Sequence, residues 1–290
     1  MTQQLSRRLL ALTCAALLSA CQTTGVKIDR SHTSENQDSR VLFLVLHYTV
    51  GNFESSLKVL TQAAHGKVSS HYLVSEEPVR TYQLVDEGRR AWHAGPSYWK
   101  GNAMLNASSV GIEIVNRGWV KGEDGVLRYT PFPEAQIDEV LALSREIVQR
   151  HGIRPERIVG HAEIQPRSKQ DPGPLFPWKR FYEAGLIAWP DAAFVEARRA
   201  EYALQLPDLA WFQDRLARHG YATATLPNPD GTLDAYTRDC LASFQMRYRP
   251  ARHDGEPDAE TAALLHAVTT PEAMKLLTPP PESRPYTSRW

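Results

Sequence analysis

VLFLVLH, residues Val41 to His47, is an unbroken apolar run that ends on a histidine. Short and rich in Val and Leu, it reads as a strand buried on both faces. A second β-branched stretch, Ile158-Val159-Gly160, follows a helical segment and runs straight into His161. Both histidines therefore stand at the carboxyl ends of strands, where open α/β sheets hold their ligands. Asp171 lies ten positions beyond His161, in a loop broken by Pro166, Pro172, Gly173, Pro174 and Pro177. Two imidazoles and a carboxylate leave a fourth coordination position open, which is the arrangement of a catalytic rather than a structural zinc. Each residue alone has a plainer reading: a histidine after a strand is commonly just hydrogen-bonded, and an Asp before Pro-Gly is commonly a turn residue.

A further carboxylate adds chemistry to this trio. In SVGIEIVN (Ser109 to Asn116), Val110, Ile112 and Ile114 share one face, with Glu113 opposite beside Gly111 and Val115. A carboxylate among β-branched neighbours is costly to bury without a partner, so it marks either a functional group or the solvated face of a strand. Beside a metal-activated water it would serve as a general base.

The remaining pattern is α/β, a mixed central sheet flanked by helices. Asn52 to Ala64 reads as a helix with Leu57, Leu60 and Ala64 on one face, closed near Gly66. His71 to Ser75 and Val79 to Val85 read as a hairpin around Glu76-Glu77-Pro78. Pro133 to His151 is the strongest helix, carrying Ile137, Val140, Leu141, Ser144 and Val148 down one side, with Gly152 just past its end. Gly95 to Ser108 has no clear period and reads as a wall of a substrate groove, with Tyr98, Trp99, Asn102 and Asn106 on it.

Six motifs, LHYT (Leu46 to Thr49), SSHYLV (Ser69 to Val74), AWHAG (Ala91 to Gly95), SVGIEIVN, VGHAEI (Val159 to Ile164) and KQDPGPLFPW (Lys169 to Trp178), occur in that order. Together they resemble the zinc-dependent N-acetylmuramoyl-L-alanine amidases of the amidase-2 family, whose fold is shared with peptidoglycan recognition proteins. The resemblance spans residues 40–187. It implies Zn2+ held by His47, His161 and Asp171, with Glu113 working on the activated water and Lys169 stabilising the oxyanion. It also implies a substrate cleft, to which we assign Tyr48, Trp92, His93, Trp99 and Asn106. The reaction implied is hydrolysis of the amide between N-acetylmuramic acid, intact or anhydro, and L-alanine of the peptidoglycan stem peptide. Two alternatives stay open. A non-catalytic recognition protein would bind the wall and lack a ligand, and a zinc peptidase would trim the stem peptide.

The amino terminus carries an address. Arg7 and Arg8 precede Leu9 to Ala20, twelve residues of mostly Leu and Ala. That is too short to span a bilayer and reads as a secretory leader over residues 1–20. It ends in Leu18-Ser19-Ala20-Cys21, which resembles a bacterial lipobox, followed by Gln22 rather than Asp. The resemblance implies lipid on Cys21 and an outer-membrane anchor facing the periplasm, with residues 21–39 as a flexible tether. Of the three cysteines, Cys14 would leave with the leader and Cys21 would carry lipid. Cys240 would then be a small buried residue beside Leu241 and Phe244, without a disulfide.

Lysine plus arginine and aspartate plus glutamate each total 33, and removing Arg7 and Arg8 leaves the mature chain two positive charges short of balance. No basic stripe of the kind that binds nucleic acid is present. The expected partners are peptidoglycan and muropeptides, and the expected state is a monomer. After Leu186 the composition shifts to an alanine- and arginine-rich linker helix, 188–206, and then to a helix-turn pattern over 207–270. Trp211-Phe212-Gln213, Gly220-Tyr221, Gly231, Asp234, Phe244-Gln245, Asp254-Gly255 and Asp258 resemble a three-helix peptidoglycan-binding domain. A generic bundle with Trp211 and Phe244 in its core is the alternative. Residues 271–290 form a tail, poorly ordered after Leu277, where no apolar period remains.

Overall fold

A computed structural model describes residues 26–222 and 232–277. The leader, Cys14, Cys21, Gly231 and the tail from residue 278 lie outside the described residues. Residues 26–38 contain no helix or strand and belong to a unit of their own; everything from Ser39 onward groups as a second compact unit. No helix among the described residues is long and apolar enough to cross a membrane.

The second unit opens with strand β1 (Phe43–Tyr48), helix α1 (Phe53–Thr61), β2 (Tyr72–Val74) and β3 (Thr81–Gln83). Two small hairpins, β4 (Tyr98–Trp99) with β5 (Asn102–Ala103) and β7 (Trp119–Lys121) with β8 (Leu127–Tyr129), flank β6 (Ser109–Ile114). Then follow α2 (Glu134–His151), β9 (Ile158–Gly160), the single turn α3 (His161–Ile164) and α4 (Trp178–Glu183). The central sheet has the order β3-β2-β6-β1-β9. Its β2, β6, β1 and β9 are parallel neighbours and β3 is antiparallel to β2, so the sheet is mixed.

β1 is covered on both faces, which is why its sequence is continuously apolar instead of alternating. Leu44 and Leu46, with Val110, Ile112, Ile114 and Ile158, pack on Ile137, Val140 and Ile147 of α2. Phe43 and Val45 belong to a second cluster with Val159, Ile164, Trp99 and Leu105. That cluster continues into Phe212, Leu216, Leu241 and Phe244 of the C-terminal helices. The helix Glu134–His151 ends where expected, at Gly152, whose φ of 65° supplies the left-handed cap. α1 is shorter than its apolar spacing suggests. It stops at Thr61, a 3-10 turn takes over at Ala63–His65, and Ala64 is exposed while Leu60 is buried with Leu73 and Val115.

The C-terminal part holds β10 (Trp189–Pro190), α5 (Ala192–Leu204), α6 (Leu209–His219), α7 (Ala235–Tyr248), α8 (Ala259–Val268) and β11 (Met274–Lys275). Asp191, Asp208, Asp234 and Asp258 cap α5 to α8, each accepting a backbone N–H three residues on. Such caps contribute about 1 kcal/mol apiece. The segment read as a linker packs along the others: the Tyr202 hydroxyl lies 2.8 Å from His266 Nδ1, and β10 pairs with β11. Cys240, Leu241 and Phe244 are fully buried; Trp211 is only half-buried, and Phe212 takes the core position beside it.

Within the segment Gly95–Ser108, Trp99 differs from its reading as a groove residue. Trp99 is 1% exposed and donates from Nε1 to the Glu156 carbonyl. Its indole lies edge-on to His219 and Tyr221 and occupies the space where a side chain at Gly220 would be. Trp99 is therefore a packing residue between the sheet and the helices. Its partners lie far away in sequence, so no local pattern announces them.

Candidate functional site

The β1–β6 register sets His47 directly beside Glu113, and the β1–β9 register sets Leu46 beside Gly160. His161, the next residue, therefore falls level with His47 just past the end of β9. Three chemically active side chains thus arrive at the carboxyl ends of adjacent parallel strands. The Asp171 loop is tied to this edge by the Ala162 N–H, which donates to the Asp171 carbonyl at 2.8 Å. A Cβ on Gly160 would lie 2.6 Å from Pro172 Cδ, so only glycine lets the loop come this close.

His47 Nδ1, His161 Nδ1 and Asp171 Oδ2 form a triangle with edges of 3.0, 3.0 and 3.1 Å. The far nitrogens of both rings are already engaged. His161 Nε2 faces Gln165 Oε1 at 3.2 Å, an acceptor, so that nitrogen carries the proton and Nδ1 is a lone pair. His47 Nε2 lies 3.0 Å from His93 Nδ1, and His93 Nε2 lies 3.1 Å from Ser109 Oγ. Ser109 Oγ in turn donates to the Leu105 carbonyl. Followed outward from that carbonyl, each donor has one acceptor only if both His47 and His93 carry their protons on Nε2.

The triangle is then three proton-free donors facing one another, which is repulsive unless a cation lies among them. Ligand bonds of about 2.0–2.1 Å in a tetrahedral zinc site give edges of about 3.3 Å, close to those seen. These three residues form the metal-competent cluster found among the described residues. Burial pushes His47 down to about 4, so it is neutral as a ligand must be.

Glu113 is 9% exposed, so the solvated-face alternative for its strand is excluded. Its Oε2 has no hydrogen-bond partner. Burial, and then the negative charge of Asp171, push it up to about 8, against a smaller opposing pull from Lys169. Lys169 is half-buried, and its charge reaches both Glu113 and His47. The Lys169 N–H donates to the Gln165 carbonyl, fixing the lysine on the loop that carries Asp171.

Of the residues assigned to the cleft, Trp92 alone is exposed, at 42%, with the Arg90 guanidinium 4.1 Å from its ring. His93 is corrected to a buried partner of His47, its ring lying on Gly111, where a Cβ would come within 2.6 Å. Asn106 is also buried; its Oδ1 accepts the N–H groups of His93 and Ala94 and so fixes that turn. Tyr48 is wedged against Gly118 and Gly173, its hydroxyl kept protonated chiefly by burial and by Asp171. These three are buried behind the site and hold its elements in place. Ser109 and Gln165 were missed by the sequence reading. Ser109, Gly111 and Glu113 alternate as the non-apolar face of β6, a signal that something polar covers it; Gln165 stands four residues after His161 on the same turn.

Known proteins share both parts of the chain. A family described as N-acetylmuramoyl-L-alanine amidase matches residues 37–174, and one described as putative peptidoglycan binding domain matches 205–265. The N-acetylmuramoyl-L-alanine amidase AmiD of Escherichia coli (strain K12) is 42% identical over 267 residues, covering 90% of this chain and 94% of its own. The structure of the Escherichia coli AmiD complex with anhydro-N-acetylmuramic acid-L-Ala-D-gamma-Glu-L-Lys superposes with a TM-score of 0.73 at 40% identity, covering 85% of this chain and 95% of that one. AmpDh3 from Pseudomonas aeruginosa, solved with an anhydromuramic pentapeptide, gives a TM-score of 0.73 at 38% identity, covering 84% and 97%.

Proposed function

This chain belongs to the N-acetylmuramoyl-L-alanine amidase family, and on that premise we propose that His47, His161 and Asp171 hold the zinc with which Glu113 and Lys169 carry out the cleavage. The enzyme is an N-acetylmuramoyl-L-alanine amidase of peptidoglycan turnover, acting on the bond between N-acetylmuramic acid and L-alanine. When bound, zinc supplies Lewis acidity: it polarises the scissile carbonyl and brings a water's pKa to about 7.

The chain's residues do the rest. Glu113 accepts a proton as the water oxygen bonds to the carbonyl carbon, and returns it to the alanine nitrogen as the C–N bond breaks. Burial makes this carboxylate a stronger base than an exposed one, which suits it to take the proton and hand it on. Lys169 faces the negative charge that develops on the carbonyl oxygen. His93, through His47, keeps the ligand nitrogen proton-free. No covalent intermediate is required.

The observation that carries this reading is the partnerless Glu113 carboxylate set beside a triangle of proton-free donors. The full ligand trio argues against a binder that has lost its metal. The leader motif supports lipidation of Cys21 and an outer-membrane enzyme facing the periplasm. The family match over 205–265 supports retention on peptidoglycan by the helical part.

The test is incubation of the purified protein with muropeptides, with and without a chelator, and product identification by mass. Separated glycan and intact stem peptide, lost on chelation, are expected. A shortened stem peptide would indicate a peptidase, and unchanged muropeptide a binder. Globomycin-sensitive processing and radiolabelled palmitate on the wild type, both lost in Cys21→Ala, test the anchor.

A further inference from the structure

We propose that Arg247, on the third helix of the C-terminal part, is a positioning residue for His161, so that the helical part completes the metal site as well as adjoining it. The inference rests on the metal reading above. It starts from a buried ion pair that joins the two parts of the chain. Arg247 Nη1 donates to Glu163 Oε2 at 2.7 Å, with the two side chains 6% and 3% exposed. The same Nη1 donates to the Ile158 carbonyl at 3.1 Å. Glu163 Oε2 also accepts the Gly160 N–H at 2.8 Å.

These bonds bracket His161. Ile158 and Gly160 precede it on β9, Glu163 follows it on α3, and one guanidinium spans both sides. α3 is only four residues long, so it cannot hold its own geometry by internal hydrogen bonds. The direction of the His161 ring therefore depends on what grips this turn from outside. The grip is itself fixed: the guanidinium lies 4.0 Å from the Trp178 ring, and a Cβ on Gly160 would come 3.3 Å from Trp178 Cζ2. Trp178, Gly160 and the Asp171–Pro172 segment are thus packed in one stack, with Arg247 beneath it.

The placement has a cost that a simple tether would not need. A buried ion pair is weak as a source of net stability, whereas removing one partner leaves an uncompensated buried charge. Apolar residues at 163 and 247 would join the two parts as well. The arginine–glutamate pair adds direction, because one Nη1 must meet both the Glu163 carboxylate and the Ile158 carbonyl, and hydrogen bonds fix angles that apolar contacts leave free. Outer partners of metal ligands typically alter metal affinity by about 10–100-fold when removed.

The experiment compares zinc affinity, by competition with a chromophoric chelator, for the full-length wild type, Arg247→Ala, Arg247→Lys, Glu163→Gln and Leu241→Ala. Leu241 is buried on the same helix and belongs to the second core cluster, so its truncation loosens the helical part by a different route. Arg247→Ala should bind zinc about 10-fold or more weakly, with an altered cobalt(II) visible spectrum and, at saturating zinc, a lower kcat at unchanged KM. Arg247→Lys should recover part of the affinity, and Leu241→Ala should keep it at comparable loss of thermal stability. If Arg247→Ala does not fold, Arg247→Lys and Glu163→Gln carry the comparison and should each weaken zinc measurably. Wild-type affinity in the arginine and glutamate variants, or equal weakening in Leu241→Ala, overturns the proposal. Failure of the wild type itself to bind zinc would instead overturn the metal reading.

Discussion

Glu113→Gln should trade activity for stability, and the trade should depend on pH. In the folded, metal-free protein the carboxyl is raised from its ordinary 4.5 to about 8, chiefly by burial. The fold therefore prefers the protonated acid. That contribution to stability is whole below about pH 4.5, is lost as pH rises, and is exhausted once the folded group ionises above about 8. Weighing the two ionisation equilibria gives a cost of about 1 kcal/mol at pH 5, about 3 at pH 7 and about 5 at pH 9. Glutamine has nearly the same shape and never ionises, so the variant escapes this slope. Its stability advantage over wild type should grow by roughly 4 kcal/mol between pH 5 and pH 9. Urea denaturation in the presence of a chelator, at pH 5, 7 and 9, measures this directly. The same substitution should lower cleavage by about 10²–10⁴-fold, since glutamine accepts no proton. A stability difference that is constant across pH would refute the argument, because it would mean that the carboxyl is not desolvated in the folded state.

Further outcomes follow from the same geometry. His93→Ala should weaken zinc binding by about 10–100-fold in chelator competition, because the proton on His47 is no longer directed to Nε2; unchanged affinity would remove His93 from the relay. Trp99→Ala should cost about 3–5 kcal/mol in thermal or urea unfolding and leave KM unaltered. A raised KM with little loss of stability would restore the groove-wall reading. Glu87 is pulled down to about 2: burial pushes it up, but His151, Tyr72 and Arg150 outweigh that. Its contribution is present above about 4.5 and is lost as pH falls towards 2, amounting to at most about 3 kcal/mol. Glu87→Gln should therefore show a shallower loss of stability than wild type between pH 5 and 2.

Much of the framework was legible because it is local. The continuous run through Val45 reports a strand covered on both faces, and alternation through Val110, Ile112 and Ile114 reports which side of β6 is apolar. Gly152 marks a helix end by chemistry confined to one turn. The candidate ligands could be picked out for the same reason, since a histidine at the end of such a run can point only towards the strand ends.

What stayed hidden depends on partners distant in the chain. Trp99 looked like a groove residue because its partners His219 and Tyr221 are reached only after the helices dock on the sheet. His93 looked like a cleft residue beside Trp92, yet it packs on Gly111 beneath His47. The two readings of Glu113, solvated face or functional acid, are identical in a one-dimensional pattern, because alternation tells which face a side chain takes and not what covers it. Arg247 gave no signal, since its partner Glu163 is 84 positions away.

The sequence by itself determined the main strands, the end of the long helix at Gly152 and the residue types able to hold a metal, because periodicity, capping and donor chemistry are properties of short segments. Only the tertiary structure decided which donors lose their protons, which carboxylate is left without a partner, and that an arginine of the helical part grips the turn bearing His161. Those outcomes follow from burial and direction, and both exist only once segments far apart in the chain have packed together.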